Sequence, residues 1–235
     1  MILQKYSDDL NVMNIEAQQL EDWDYRDATN IRLSVPADFP DAAELLQRGF
    51  MFADRMYEVS INLARSKVDY AKLVRLKPEL VHLKPELEGC SQESAAEDVD
   101  ILKTIAHNSF KTDRRFHVDA AYNQDKANRI MDQWIDELQE VYVCRYKEDV
   151  AGFLALQKPD ANNALVYLAA VEEKYRPAGV ALSMYAYAVE ECRQQGYRAV
   201  KGYISSRNIP VLNLYTYLGA TFERATDVYI KERRQ

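Results

Sequence analysis

Arg176-Pro177-Ala178-Gly179-Val180-Ala181 leads straight into a helix-forming apolar run that continues to Gly196, with no Ser, Thr, Asp or Asn at its start. A helix leaves its first four N–H groups unpaired, and one of those four side chains normally accepts from them. Here the groups are left for something external. The partial positive charge of a helix start, a glycine that lets backbone approach closely and a neighbouring arginine together suit an anion. A second pair of residues stands further on. Asn208 and Tyr215 are seven apart in a short apolar run. At about 100° per residue that puts both on one side of a helix, with Val211, Leu214 and Leu218 as a separate core stripe. Tyr217 turns the other way and reads as structural. Glu172 and Glu173 end a preceding apolar strand, where they are either a solvated strand end or a base.

Composition narrows what such residues serve. The chain has 235 residues and a formal net charge of −7, which argues against general nucleic-acid binding. Its start, MILQKYSDDL, is polar and is no secretory signal, and the longest apolar run, Ala164 to Val171, is too short to cross a bilayer. Cys90, Cys144 and Cys192 are odd in number and scattered, so a reduced cytoplasmic setting is expected. With 3 histidines and no Cys/His cluster, no metal site is expected.

The elements that must position these residues fall into two parts. In the first, Ile31–Val35 reads as a strand ended by Pro36, Asp41–Gly49 as a helix stopped by glycine, and Tyr57, Val59, Ile61 and Leu63 alternate along a second strand. LKPEL occurs at 76–80 and again at 83–87, an extended connector with no chemistry attached. Ser94 and Glu97 have capping-box spacing ahead of a helix with Ile101, Leu102, Ile105 and Ala106. A second helix over about 125–140 buries Ile130, Met131, Trp134, Ile135 and Leu138. Strands follow at 140–146 and 150–158, around a turn at Lys147–Asp149, and at 163–171. Then come the helix to Gly196, packed through Leu182, Tyr185, Val189 and Cys192, a strand at 198–205, a helix from Ile209 and a last strand at 225–232. The expectation is an α/β protein: a small N-terminal α/β unit with its connector over 1–90, and a mixed central sheet with helices on both faces over 91–235.

The strand NALVYLAAV, the loop EKYRPAG and the helix that follows resemble the acyl-CoA-binding core of the GCN5-related N-acetyltransferases, the GNAT family. The family pattern Arg/Gln-x-x-Gly-x-Gly/Ala is met by Arg176, Gly179 and Ala181, while Pro177 departs from it by removing one N–H donor. SSRNIPVLNLYTYLGATF resembles the later segment in which the family carries Asn, Leu-Tyr and then Gly with an aromatic. NSFKTDRRFHVDAAYN with DQWIDEL is similar to a narrower group, the enzymes that acetylate the amine of dTDP-linked 4-amino-4,6-dideoxyhexoses. Ser109, Arg115, Phe116, His117, Asp119, Trp134 and Ile135 sit at the matching places.

The resemblance implies a fold, a co-substrate and roles. The fold is that of acyl-CoA N-acyltransferases. Acetyl-CoA would be held by Arg176, Pro177, Ala178, Gly179, Val180, Ala181 and Asn208, and along the strand end at Ala169, Ala170 and Val171. Backbone N–H near Ala170 and Val171 would polarise the thioester carbonyl. Tyr215 would meet the departing thiolate, and Glu172, Glu173 or His117 would take the amine's proton. Arg115 and His117 would line the acceptor site, though Arg115 pairing with Asp113 or Asp119 and a structural His117 remain open. No enzyme nucleophile is required. Alternatives are another amine (a small amine, a polyamine or a peptide N-terminus) or a silent acyl-CoA-binding domain. A homodimer is compatible with the sequence.

Overall fold

The computed structural model describes residues 2–7, 10–16, 28–76, 85–89, 96–111, 113, 124–138, 140–146 and 149–232. Ten strands form one sheet: β1 (Ile2–Ser7), β2 (Leu10–Glu16), β3 (Asn30–Pro36), β4 (Met51–Asn62), β5 (Pro85–Gly89), β6 (Glu140–Tyr146), β7 (Asp149–Gln157), β8 (Asn163–Val171), β9 (Ala199–Ser205) and β10 (Thr221–Glu232), in the order β1-β2-β3-β10-β4-β9-β8-β7-β6-β5. Helices are α1 (Ala42–Gln47), α2 (Tyr70–Leu76), α3 (Ala96–Phe110), α4 (Gln124–Asp136), α5 (Val180–Gln194) and α6 (Ile209–Tyr217). The mixed α/β expectation holds. Among the described residues only β2–β3 and β8–β9 pair in parallel.

Alternation along the strands sorts side chains into two cores. Val59, Ile61 and Leu63 from β4, Val200 and Ile204 from β9, and Tyr142 and Cys144 from β6 pack against α5 and α6. On the opposite face Val141, Val143, Phe153 and Ala155 meet α3 and α4, and Ala53, Met56, Val228 and Ile230 continue under α4. Burial in the low-dielectric core pushes the Cys144 thiol up to about 12, so this cysteine is no nucleophile.

The division at residue 90 does not divide the sheet. β4 lies between β9 and β10 and is antiparallel to both, with Ile61 opposite Val200 and Asp227 opposite Arg55. The first strands are therefore interleaved with the last ones. The second LKPEL copy is also more than a connector, since Pro85–Gly89 pairs with β6 from Cys144 to Glu140. The first copy begins inside α2, which sequence periodicity did not show, and 77–84 and Ser94 lie outside the described residues. The hairpin β1–β2 was likewise not anticipated, because its polar alternation carries little apolar signal.

An interleaved sheet should unfold as one unit. Ile61→Ala, at a fully buried position, is expected to lower stability by about 2–5 kcal/mol. Calorimetry should show one transition that shifts as a whole; two transitions of which only one moves would mean an independent N-terminal unit.

Candidate active site

The site begins where two strands part. β8 and β9 pair from Asn163↔Ala199 to Val166↔Gly202, and no register is formed beyond, although β8 runs on to Val171 and β9 to Ser205. One extra residue marks the same point. Opposite β7, Ala155 faces Leu168 and Leu156 faces Val166, leaving Tyr167 as a bulge. The bulge reverses the alternation: Ala164 and Val166 belong to the core under α5, Leu168 and Ala170 to that under α3.

Backbone direction can be read in the opened part. The Glu172 N–H donates to the Ala151 C=O at 3.0 Å, and the Ala170 carbonyl lies against Gly152, where a Cβ would come within 2.7 Å of it. Residues 170 and 172 thus turn their polar groups to β7. Because these groups alternate along a strand, those of Ala169 and Val171 turn to the β9 side. This corrects the expectation of Ala170 as a carbonyl-polarising donor: the N–H groups facing the opening are those of 169 and 171. The Val171 carbonyl is met by Ser109 Oγ at 3.4 Å and by Arg176 Nε at 3.3 Å.

The start of α5 is bare, as its sequence suggests. Gly179 is the N-cap at φ 79°, a left-handed conformation that glycine takes without strain, and no side chain caps the helix. The first bond back into the helix runs from Ser183 N–H to Gly179 C=O at 3.0 Å. The N–H groups of Val180, Ala181 and Leu182 precede it. The segment before, Glu173–Ala178, is a 3₁₀ turn containing Pro177 rather than an open loop. It is pinned at its middle: Tyr175 Oη and Lys174 Nζ both donate to Asp149, the latter at 3.1 Å, and the Tyr175 ring lies 5.4 Å from that of Tyr146. Arg176 is exposed and reaches Ser109 at 3.5 Å. Glu172 is half-buried at the strand end and Glu173 is exposed.

α6 brings a correction. Tyr215 was expected to look outward beside Asn208, apart from the core stripe. It is instead buried at 1% exposure along with Leu218, whereas Tyr217 is 67% exposed. The reason lies on β9. Gly202 has no side chain, and the Tyr215 hydroxyl fills that space so closely that a Cβ there would be 2.4 Å from it. The hydroxyl therefore stands at the last paired residue before β8 and β9 part. Tyr185 of α5 packs edge-on at 5.3 Å, and burial raises the pKa of Tyr215 well above the ordinary phenol value. Asn208 serves locally as the α6 cap, its Oδ1 accepting from Val211 N–H at 3.3 Å.

Several expected and unexpected residues complete the picture. Arg115 and His117, with Phe116 and Asp119, lie outside the described residues. Trp134 is half-buried against Tyr167 at 5.9 Å, a packing role. From the sequence Ser109 stood only as a motif position and Tyr185 only as helix packing, while Tyr167 and Gly202 were given no place. Gly202 carried a legible signal of its own, a glycine inside a strand. Glu58 and Tyr203, opposite each other on β4 and β9, face away from α5; Lys201 Nζ lies 3.2 Å from Glu58. A separate groove of about 590 Å³ between Ser66–Ala71 and the second half of α5 lies at the far end of that helix from Gly179. Among the described residues no group of three or more His, Cys, Asp or Glu could hold a metal, and no helix is long and apolar enough to cross a membrane.

The uncapped, glycine-led start of α5 is the feature on which the sequence resemblance rests. Residues 105–220 match the family model described as the acetyltransferase (GNAT) family. That stretch belongs to the GNAT acetyltransferases. What that stretch supports is an acyl-CoA-dependent N-acetyltransferase. Its structure is similar to that of a functionally unknown conserved protein from Staphylococcus epidermidis (12% identity, TM-score 0.62, covering 88% of this chain and 74% of that one). It is also similar to a GCN5-related N-acetyltransferase from Sphaerobacter thermophilus (15%, 0.54, 88% and 60%). A third likeness is to a GCN5-related glucosamine N-acetyltransferase region of a fungal multi-domain GH3 β-N-acetylglucosaminidase (15%, 0.57, 88% and 26%). At such identities the likeness shows the fold, and it extends beyond 105–220 toward the chain's ends. No curated protein matches by sequence.

Acetyl-CoA brings a pyrophosphate, and Arg176 is the exposed cation beside the bare start of α5. Arg176→Ala is expected to weaken CoA binding about tenfold in calorimetry, with the unfolding midpoint unchanged. Unaltered affinity would remove Arg176 from the site.

Proposed function

We propose that this GNAT enzyme acetylates a primary amine by direct attack on acetyl-CoA in a ternary complex, at the opening between β8 and β9. The observation that carries the reading is the coincidence of three features: the end of pairing at Val166↔Gly202, the Tyr215 hydroxyl on Gly202, and the uncapped start of α5. The pyrophosphate would lie on the N–H groups from Gly179 to Leu182, with Arg176 beside it and Pro177 and Ala178 shaping the turn. Asn208, whose Oδ1 caps α6, would offer its amide N–H₂ to the pantetheine. The thioester would lie along Ala169–Val171, its carbonyl toward the N–H groups that face the opening. Of the two carboxylates, half-buried Glu172 suits proton removal from the acceptor ammonium better than exposed Glu173.

Tyr215 would stabilise the departing thiolate. Its burial keeps the phenol protonated at neutral pH, so it is always a donor. A thiol ionises near 8.5, below such a phenol, so Tyr215 gives a hydrogen bond to the sulfur rather than its proton outright. Tyr215→Phe should then lower kcat by about 10²–10³, the size of losing one preorganised donor, with little change in acetyl-CoA affinity. Gly202→Ala should cost activity too, since its Cβ displaces the hydroxyl, while Tyr217→Phe should be silent. Steady-state kinetics check all three, and an active Tyr215→Phe enzyme would return the residue to packing.

For the acceptor we propose the amine of a nucleotide-linked amino-dideoxy sugar. Two things support it: the likeness of residues 109–119 and Trp134-Ile135 to enzymes of that kind, and the glucosamine N-acetyltransferase region of the fungal protein, which has a similar fold. A diphosphate-linked acceptor needs local cations on a chain of net charge −7, and Arg115 would be one. Free-CoA release should be measured with dTDP-linked amino sugars, glucosamine, spermidine and a peptide with a free N-terminus. Arg115→Ala is expected to raise KM for the nucleotide sugar roughly tenfold and leave that for acetyl-CoA unchanged. If no nucleotide sugar is acetylated, the narrower assignment fails and the acetyltransferase remains; no release with any amine would favour an acyl-CoA-binding domain.

A further inference from the structure

We propose that the sheet face turned away from α5, beside the opening, is the subsite for the acceptor's sugar ring. Tyr203 is the platform on which the ring lies, and Glu58 with Lys201 is the pair that reads its hydroxyls. The inference deepens the proposed function and rests on its reading that a carbohydrate amine attacks between β8 and β9. Three strands bring the residues into one row. Arg224 of β10 stands opposite Glu58 of β4, and Glu58 stands opposite Tyr203 of β9. Tyr203 follows Gly202, the last residue of β9 that pairs with β8. Val200, Gly202 and Ile204 turn toward α5 and α6, so Lys201 and Tyr203 turn the other way. On the far bank of the opening, Tyr167 leaves β8 on that same face and meets Trp134 of α4.

The geometry of attack selects this face. A thioester lying between β8 and β9, its carbonyl turned to β8, presents the two faces of that carbonyl above and below the sheet. On one side stand α5, α6 and the Tyr215 side chain. The amine therefore arrives from the side of Tyr203 and Tyr167. What it meets there is an aromatic side chain, 58% exposed, beside charges that are already matched. Glu58, whose side chain is 16% exposed, lies 3.2 Å from Lys201 Nζ and 3.9 Å from Arg224 Nε, and Lys201 also reaches Glu223 at 3.1 Å. Two carboxylates against two cations leave no net charge to draw a polyamine. A ligand that covers such a pair must hydrogen-bond to both partners or leave one of them desolvated. A sugar meets that demand: its hydroxyls donate to Glu58 and accept from Lys201, while a flat face of the ring lies on Tyr203. Aromatic lining with a few placed polar groups is the usual make-up of a small-molecule site. Spermidine as its cation has donors alone and leaves Lys201 unmatched. Arg224, its side chain 81% exposed, can swing to the diphosphate of a nucleotide-linked sugar.

The test is free-CoA release from acetyl-CoA by the wild type, Tyr203→Ala and Glu58→Gln. The acceptors are glucosamine, a dTDP-linked 4-amino-4,6-dideoxyhexose and spermidine. Tyr203→Ala should raise KM for the sugar amines about 5- to 10-fold, with the loss falling on KM rather than on kcat and with KM for acetyl-CoA unchanged. Glu58→Gln keeps the size of the side chain and removes its charge, and should raise KM for the sugar amines by a similar factor. Neither change should raise KM for spermidine. Tyr203 is exposed, so its alanine variant should keep the unfolding midpoint and leaves the platform testable even if Glu58→Gln does not fold. Wild-type KM values for the sugar amines in the folded variants, or equal rises for sugar amines and spermidine, overturn the subsite and leave the sugar acceptor standing. If the wild type acetylates neither sugar amine, the reading beneath has failed, and the subsite falls with it.

Discussion

One inserted residue governs the site. Tyr167 is unmatched on β7, and at that point β8 stops pairing with β9 and exchanges the faces of its side chains. The consequence is a strand edge inside a protein whose N–H and C=O groups at Ala169 and Val171 have lost their sheet partner. Backbone groups left unpaired away from water cost about as much as a lost hydrogen bond, so such an edge persists only where another partner takes the strand's place. Ser109 and Arg176 cover one group, the Val171 carbonyl. An extended thioester-bearing arm with amides of its own is the kind of ligand that completes the rest, in the manner of an added strand.

The elements around the opening are held by parts of the chain remote in sequence. β4 closes the gap between β9 and β10, and its Arg55 carbonyl accepts from Ser206 N–H at 2.7 Å, just past the end of β9. Arg55 in turn forks onto Asp227 of β10, with bonds of 2.6 and 2.9 Å, and Arg207 Nε lies 3.8 Å from buried Asp54. The short turn that leads to Asn208 and α6 is therefore anchored on a strand that lies outside residues 105–220. The first strands act in this site by fixing where α6 begins, and through α6 where Tyr215 ends.

Most of the fold was legible because its signals are local. The apolar runs of β7 and β8, the alternation of β4 and the stripe of α5 each specify an element by period alone. The bare approach to α5 was legible for the same reason, since capping is a matter of a few adjacent residues. Partners distant in sequence were not. Period cannot say that β4 enters the sheet between β9 and β10, nor that Pro85–Gly89, at the end of the second LKPEL copy, becomes an edge strand. Tyr215 shows the limit most clearly. On a helix as short as Ile209–Tyr217, with apolar residues on several sides, angle arithmetic does not select the buried face. The selection was made across the sheet, by a glycine at 202 that leaves room for a phenol.

That burial also changes what the tyrosine can do. An exposed phenol would hydrogen-bond to water and meet a thiolate only after giving that bond up. Tyr215 is packed between the Tyr185 ring and the Gly202 backbone, so its place is set before any ligand arrives. In a medium of low effective dielectric a fixed dipole acts more strongly on developing charge than a mobile one, and no reorganisation is needed as the C–S bond breaks. The same burial makes the phenol a poorer acid. In the proposed mechanism the two effects suit one role: Tyr215 would steady negative charge on sulfur through an oriented hydrogen bond, and final protonation of the thiol would be left to solvent as CoA departs.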